Sequence, residues 1–185
     1  MVVFLVYVLL VKKDKLMTLT DLNNQSAEQA NHTFMQCCTS STWVKAMVEA
    51  RPFADDIAVA KQADLAWQEL EEADYLEAFE GHPKIGDVSS LRAKYANTKE
   101  LAGNEQGLVK EANDDVLEIL SQGNTDYEEK FGFIFIVCAT GKSAKEMSDL
   151  LQARLPNNKT TELVNAAEEQ RKIFQLRIDK ALAEG

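Results

Sequence analysis

Apolar residues recur along most of this chain at intervals of three and four, the spacing that lays one stripe along an α-helix. Ser26-x-x-Gln29 forms a capping box that predicts a helix through about Cys37. A second helix is expected over 42–50, stopped by Arg51-Pro52. The 55–71 stretch reads as amphipathic through Ile57, Ala60, Ala63, Trp67 and Leu70. A short helical turn over 75–80 should end at Gly81 in a left-handed conformation. Helices are also expected over 90–95, from an Asn104 cap to about Ser121 with Gly123 as the stop, and over 160–182. Residues 126–130 and 143–155 have helical character as well. Between them lies the continuous apolar run 131–139, whose aromatic and β-branched content would suit a strand. A lone strand would have no partner, so a buried helix is the expectation there. The pattern as a whole predicts an all-α fold, a single compact helical domain.

Length and composition agree with one soluble domain: 185 residues, 45% hydrophobic, with only 3 prolines and 8 glycines to interrupt helices. Residues 2–11 are continuously apolar, too short to span a bilayer, and are followed by Lys12-Lys13-Asp14-Lys15. Met17 offers a second start. Residues 1–16 are therefore expected to be an extension outside the fold, with 17–185 as the domain; retained, the extension could tether the protein to a membrane. The net charge of −10 argues against a nucleic-acid partner and requires a local cation for any anionic ligand. Cys37, Cys38 and Cys138 are odd in number and lack a C-x-x-C pattern. They read as reduced core cysteines of a cytoplasmic protein, with no metal site expected. A thiol redox role for Cys37-Cys38 lacks the electropositive setting that activates a thiolate. The C-terminal residues carry no S-K-L-like address.

Four places could carry chemistry. His82 sits between Gly81 and Pro83, on a corner that the backbone preferences of its neighbours make rigid. An imidazole there suits proton transfer near neutral pH, although a helix-ending turn with an incidental histidine has the same sequence. Glu105-Gln106 follow Asn104 at a predicted helix mouth, where acidic residues also occur for dipole reasons alone. Arg177 shares a stripe with Ile173, Phe174 and Ala181, so it is expected to be buried and to need an anion, either an internal carboxylate or a bound one. The 131–139 run is core by composition, yet Gly132 and Thr140-Gly141 hint at a bent segment that could expose backbone groups.

Taken together, Phe34-x-x-Cys37-Cys38-x-Ser40-x-x-Trp43-x-x-x-Met47, Arg51-Pro52-Phe53 and His82-Pro83-x-Ile85-Gly86 resemble the 2-oxo-4-hydroxy-4-carboxy-5-ureidoimidazoline (OHCU) decarboxylase family of urate breakdown. Glu105-Gln106, Lys130-Phe131-Gly132-Phe133-x-Phe135 and Lys172-Ile173-x-x-Leu176-Arg177-Ile178 follow in the family's order, so the resemblance covers about residues 18–183. It implies an all-helical, cofactor-free, usually dimeric enzyme that converts OHCU to (S)-allantoin and carbon dioxide. His82 matches the family's proton donor and Pro83 the adjacent substrate contact. Glu105 and Gln106 match the end of a Ser-x-x-Glu-Gln substrate loop, in which Ala102, Gly103 and Asn104 occupy the preceding positions; Glu105 would orient the substrate and tune His82. Phe135, Ile136, Val137, Cys138 and Ala139 match a segment that presents backbone groups to the substrate ring, and Arg177 matches a substrate-contacting arginine. Ala102 departs from the family's serine, a loss on the order of 1 kcal/mol if one neutral hydrogen bond disappears.

The chemistry implied by the resemblance needs no electron-accepting cofactor, because the substrate's own ring can delocalise the electrons released with carbon dioxide. The competing reading is a non-catalytic, acidic helical interaction module. An enzyme needs His82, Glu105 and Arg177 to converge, whereas a module does not.

Overall fold

The computed structural model describes residues 17–82 and 114–182. Among these residues there are eight helices and no strand. They are α1 (Leu19–Asn24), α2 (Ala27–Cys37), α3 (Ser41–Glu49), α4 (Asp56–Gln68), α5 (Glu72–Glu80), α6 (Asp114–Phe131), α7 (Ala144–Arg154) and α8 (Lys159–Leu182). The expectation of an all-α protein holds. The predictions over 90–95 and at Asn104, and the 1–16 extension, lie outside the described residues. No described helix is long and apolar enough to cross a membrane.

Local chemistry sets most helix starts. Ser26 and Gln29 form the expected reciprocal capping box, and Ser143 with Glu146 repeats it at α7. Ser40 and Asp55 cap α3 and α4 through their side-chain oxygens. Thr18 and Asp21 build a further capping box and nucleate α1, a helix too short to register as a periodic stripe. Arg51 has a structural role: its guanidinium donates to the carbonyls of Leu22, Gln25 and Val48, tying the end of α1 to the end of α3.

Helix α8 is the axle of the fold, packing against α2, α4, α5 and α6. Its buried stripe runs Ala166, Gln170, Phe174, Ile178 and Leu182, four residues apart at each step. Around Phe174, the rings of Trp43 and Trp67 approach to 5.1 and 5.3 Å between centroids, and Phe34 meets Trp43 edge-on at 6.0 Å. The Trp43 indole N–H finds the Ala63 carbonyl at 3.0 Å, so this large ring is buried without an orphaned donor. Ile57 does not join the α4 core stripe: it is 77% exposed, and Val59, Ala63, Ala66 and Trp67 form the buried face instead.

Two glycines behave differently from expectation. Gly123 does not stop a helix, because α6 continues to Phe131. A Cβ there would lie 2.6 Å from Leu151 Cδ2, so the glycine permits α6 and α7 to pack closely. The 131–139 run is not a helix. Gly132, at φ 80°, ends α6, and the chain then runs without regular secondary structure through Ala139. Phe131, Phe133 and Phe135 gather around Tyr127 at 4.5, 5.9 and 5.2 Å.

This segment has no ladder, and side chains supply partners for its backbone instead. Arg154 donates to the Ile136 carbonyl at 2.9 Å, Glu169 accepts the Cys138 N–H at 2.7 Å, and Lys142 donates to the Cys138 carbonyl at 2.7 Å. Arg154 also bonds Glu162 at 2.8 Å and the Tyr127 hydroxyl at 3.0 Å, and stacks over Phe135 at 4.8 Å. Glu162 is fully buried. Burial alone would raise its pKa, but donation from Tyr127, Asn157, Asn165 and Arg154 holds the carboxyl below its ordinary value.

Replacing Arg154 with Met leaves this carboxylate without its cation and frees the Ile136 carbonyl. The expected loss is about 3–5 kcal/mol of unfolding free energy, read from urea denaturation. Lys145→Met, which removes an exposed i,i+4 pair, should stay within about 0.5 kcal/mol of the parent.

Candidate active site

The His82 corner is built by α5 and by the turn between α2 and α3. Thr39 Oγ1 donates to the carbonyls of Glu77 and Ala78, each at 3.2 Å. Glu77 in turn accepts the Ser41 N–H and hydroxyl, both at 2.9 Å, and Asp74 accepts from Thr42 at 2.6 Å. The end of α5 is therefore clamped to the start of α3. Gly81 is right-handed, at φ −69° and ψ −5°, contrary to the expected left-handed cap. Its lack of a side chain matters for a different reason: a Cβ would lie 2.1 Å from Thr39 Oγ1 and 2.8 Å from Thr39 Cβ. The corner is tight because two chain segments meet there.

His82 follows, with its N–H on the Phe79 carbonyl at 3.1 Å. Its half-buried ring donates from Nε2 to Gln170 Oε1 at 2.5 Å. Burial pushes the imidazole pKa below the ordinary 6.5; the Gln170 bond works against that shift and the Arg177 charge reinforces it. His82 is thus neutral at pH 7.

Arg177 stands on the same face of α8 as Gln170, two turns or about 10 Å along the axis. It flanks the core stripe without entering it, and is only half-buried. Among the described residues no carboxylate pairs with it. One guanidinium nitrogen donates to the Cys37 carbonyl at 3.0 Å and the Gln36 carbonyl at 3.5 Å, at the negative end of the α2 dipole. Among the described residues this anchoring engages one nitrogen only and leaves the rest of the fork without a partner. The thiols of Cys37 and Cys38 lie beside the same junction. Burial, chiefly, pushes both up to about 11, so they are inert at neutral pH. The described residues contain no group of three or more His, Cys, Asp or Glu placed to hold a metal.

The structure therefore sets His82, through Gln170, and Arg177 along one face of α8, close enough for the guanidinium charge to act on the imidazole. In the 135–139 segment the Ile136 carbonyl and both backbone groups of Cys138 are already engaged by side chains. Within 135–139 the Cys138 N–H is thus taken up by Glu169. Phe135 is buried in the aromatic cluster. Pro83, Ala102, Gly103, Asn104, Glu105 and Gln106 lie outside the described residues. Gln170 and Glu169 escaped the sequence reading. Gln170 could have been found as the one polar residue in the four-residue register of Ala166, Phe174 and Ile178.

Comparison with known proteins places these observations in context. The OHCU decarboxylase family model matches residues 23–179. The chain is 33% identical over 148 residues to the uric acid degradation bifunctional protein TTL of Arabidopsis thaliana, covering 80% of this chain and 46% of that protein. It therefore spans less than half of that longer relative. A 2-oxo-4-hydroxy-4-carboxy-5-ureidoimidazoline decarboxylase of Xenopus laevis is 26% identical over 163 residues, 88% of this chain and 93% of its own length. A crystal structure of OHCU decarboxylase in the presence of (S)-allantoin superposes with a TM-score of 0.67 at 32% identity, covering 86% of this chain and all of that one.

Two measurements test the corner. Gly81→Ala should cost about 1–3 kcal/mol in denaturant unfolding, because the added methyl meets the branched Thr39 rather than a yielding side chain. By NMR, His82 should titrate below 6.5. The unfolded chain then binds the proton more readily than the folded one. The His82 contribution to stability should be complete above about pH 6.5 and lost as pH falls through the folded value. A His82 midpoint above 6.5 would contradict the burial seen here.

Proposed function

Since this chain belongs to the OHCU decarboxylase family, we propose that it converts OHCU to (S)-allantoin and carbon dioxide in urate catabolism. The observation that carries this reading is a half-buried His82 that bonds Gln170 and feels the charge of Arg177, a cation with no carboxylate partner among the described residues. One group can handle a proton and the other can bind a carboxylate, within a fold that superposes on an OHCU decarboxylase.

The reaction can be followed through its bonds. In OHCU the ring carbon bearing the carboxylate also bears a hydroxyl, and its neighbour, which carries the ureido group, belongs to the ring's C=N unit. When the bond to the carboxylate breaks, its electron pair enters that unit and carbon dioxide departs. The intermediate is an enol whose ring nitrogen takes a proton from water. His82, neutral at rest, accepts the hydroxyl proton and, as the imidazolium, delivers a proton to the ureido-bearing carbon, leaving a carbonyl beside it. Delivery from one face makes a single enantiomer. Because the ring itself accepts the electrons, the chemistry calls for no metal, pyridoxal or thiamine.

In this reading Arg177 grips the carboxylate bidentately, and backbone groups of the stretch Phe135, Ile136, Val137, Cys138 and Ala139 meet the substrate ring. Pro83, Ala102, Gly103, Asn104, Glu105 and Gln106 complete the substrate contacts, and Glu105 orients the substrate against His82. We further read the protein as a cytoplasmic homodimer whose domain spans residues 17–185.

The test supplies freshly generated OHCU and follows the optical activity of the allantoin formed. The expected result is faster formation of one enantiomer, against the racemate of spontaneous decay, with His82→Ala slower by about 10²–10⁴-fold. A wild-type rate in His82→Ala would remove the assignment, and a racemate from the parent protein would remove the activity.

A further inference from the structure

Gln170 is the most unusual residue of α8. It is fully buried in the position of a core side chain, between Ala166 and Phe174 along the stripe. A buried amide costs stability unless each of its groups is paired. Its Oε1 is paired with His82, whereas its Nε2 meets no acceptor at hydrogen-bonding distance among the described residues, with the Cys38 sulfur close enough to feel its N–H. An apolar residue would fill this space at lower cost, so what the glutamine provides is the bond to the histidine.

That bond has a direction. Oε1 can only accept, so the proton between the two groups belongs to His82 Nε2. In a neutral imidazole, Nδ1 must then carry the lone pair. Nδ1 has no partner among the described residues. We propose that Gln170 is a positioning residue that holds His82 as its Nε2–H tautomer and so assigns the proton transfers of the reaction to Nδ1.

The amide suits this role better than a carboxylate would. A carboxylate facing Nε2 would stabilise the imidazolium and raise the histidine pKa, whereas the proposed cycle starts from a neutral ring. The groups packed around the ring agree with that starting state. From α8, Arg177 contributes positive charge to the ring, and on the far side of Gln170 the Cys38 thiol is held protonated by burial.

This inference rests on the proposed activity for its catalytic meaning, but its structural core can be measured without substrate. Long-range ¹H–¹⁵N correlation on the intact protein above pH 7 should show His82 Nε2 as the protonated, pyrrole-type nitrogen and Nδ1 as the pyridine-type one. The reverse assignment, or averaging between the two, would overturn the proposal. Gln170→Glu should move the His82 midpoint, and the acid limb of kcat/KM with it, upward by roughly 1–3 units; an unmoved midpoint would count against the contact. Gln170→Met should lower kcat by about 10–100-fold with KM little changed, and should let both tautomers appear. An unchanged kcat would show that tautomer control is dispensable. If Gln170→Met does not fold, the parent spectrum and the Gln170→Glu titration decide. An Nε2–H tautomer in a protein that does not turn over OHCU would leave Gln170 in its structural role and remove the activity instead.

Discussion

A carboxylate sealed from water stays ionised only when donors surround it, and Glu162 is surrounded on every side that the fold provides. Tyr127 reaches it from α6, Arg154 from α7, Asn157 from the connecting turn and Asn165 from its own helix. Each donor fixes one element relative to the start of α8. Arg154 extends the arrangement outward by holding the Ile136 carbonyl, so the position of the irregular segment depends on the same charge. Tyr127 adds the aromatic cluster, and burial together with the Glu162 bond keeps its hydroxyl protonated. Removal of one member strands the others, which gives this network more control over geometry than its few bonds would suggest.

From there α8 runs through the molecule and carries both kinds of information. Its apolar residues organise α2, α4 and α5 around Phe174, while Gln170 and Arg177 on the same side reach His82 and the end of α2. His82, through its bond to Gln170, and Arg177 thus share one rigid reference. A loop mounting would tolerate drift; a single helix fixes the separation of Gln170 and Arg177 through its rise.

Much of this could be read from the chain. The capping box at Ser26, the helical stretches beginning near Asp55 and Ser143 and the long final helix follow from local chemistry, which does not depend on distant residues. His82 and Arg177 were legible as candidates because a histidine on a tight corner and an arginine beside an apolar stripe each break a local pattern. The errors arose where tertiary contacts take over. Gly81 and Gly123 looked like helix terminators, and each proves to be a point where another segment passes too close for a methyl group. Residues 131–139 looked helical for want of a partner strand, because side chains distant in sequence satisfy their backbone. Ile57 followed the α4 periodicity but stands at the helix's exposed first turn. The partnership of Gln170 was invisible because it depends on a histidine 88 positions away.

The irregular segment after Gly132 has one more implication. Its path is set by Arg154, Lys142 and Glu169, none of which belongs to it, and a hydrogen bond to a backbone group is indifferent to the side chain that group carries. The address of this stretch is stored elsewhere in the chain. Its outward-facing residues are free to diverge among descendants of this protein while the backbone groups they carry keep their places, so the surface chemistry of this stretch can change without the scaffold being rebuilt.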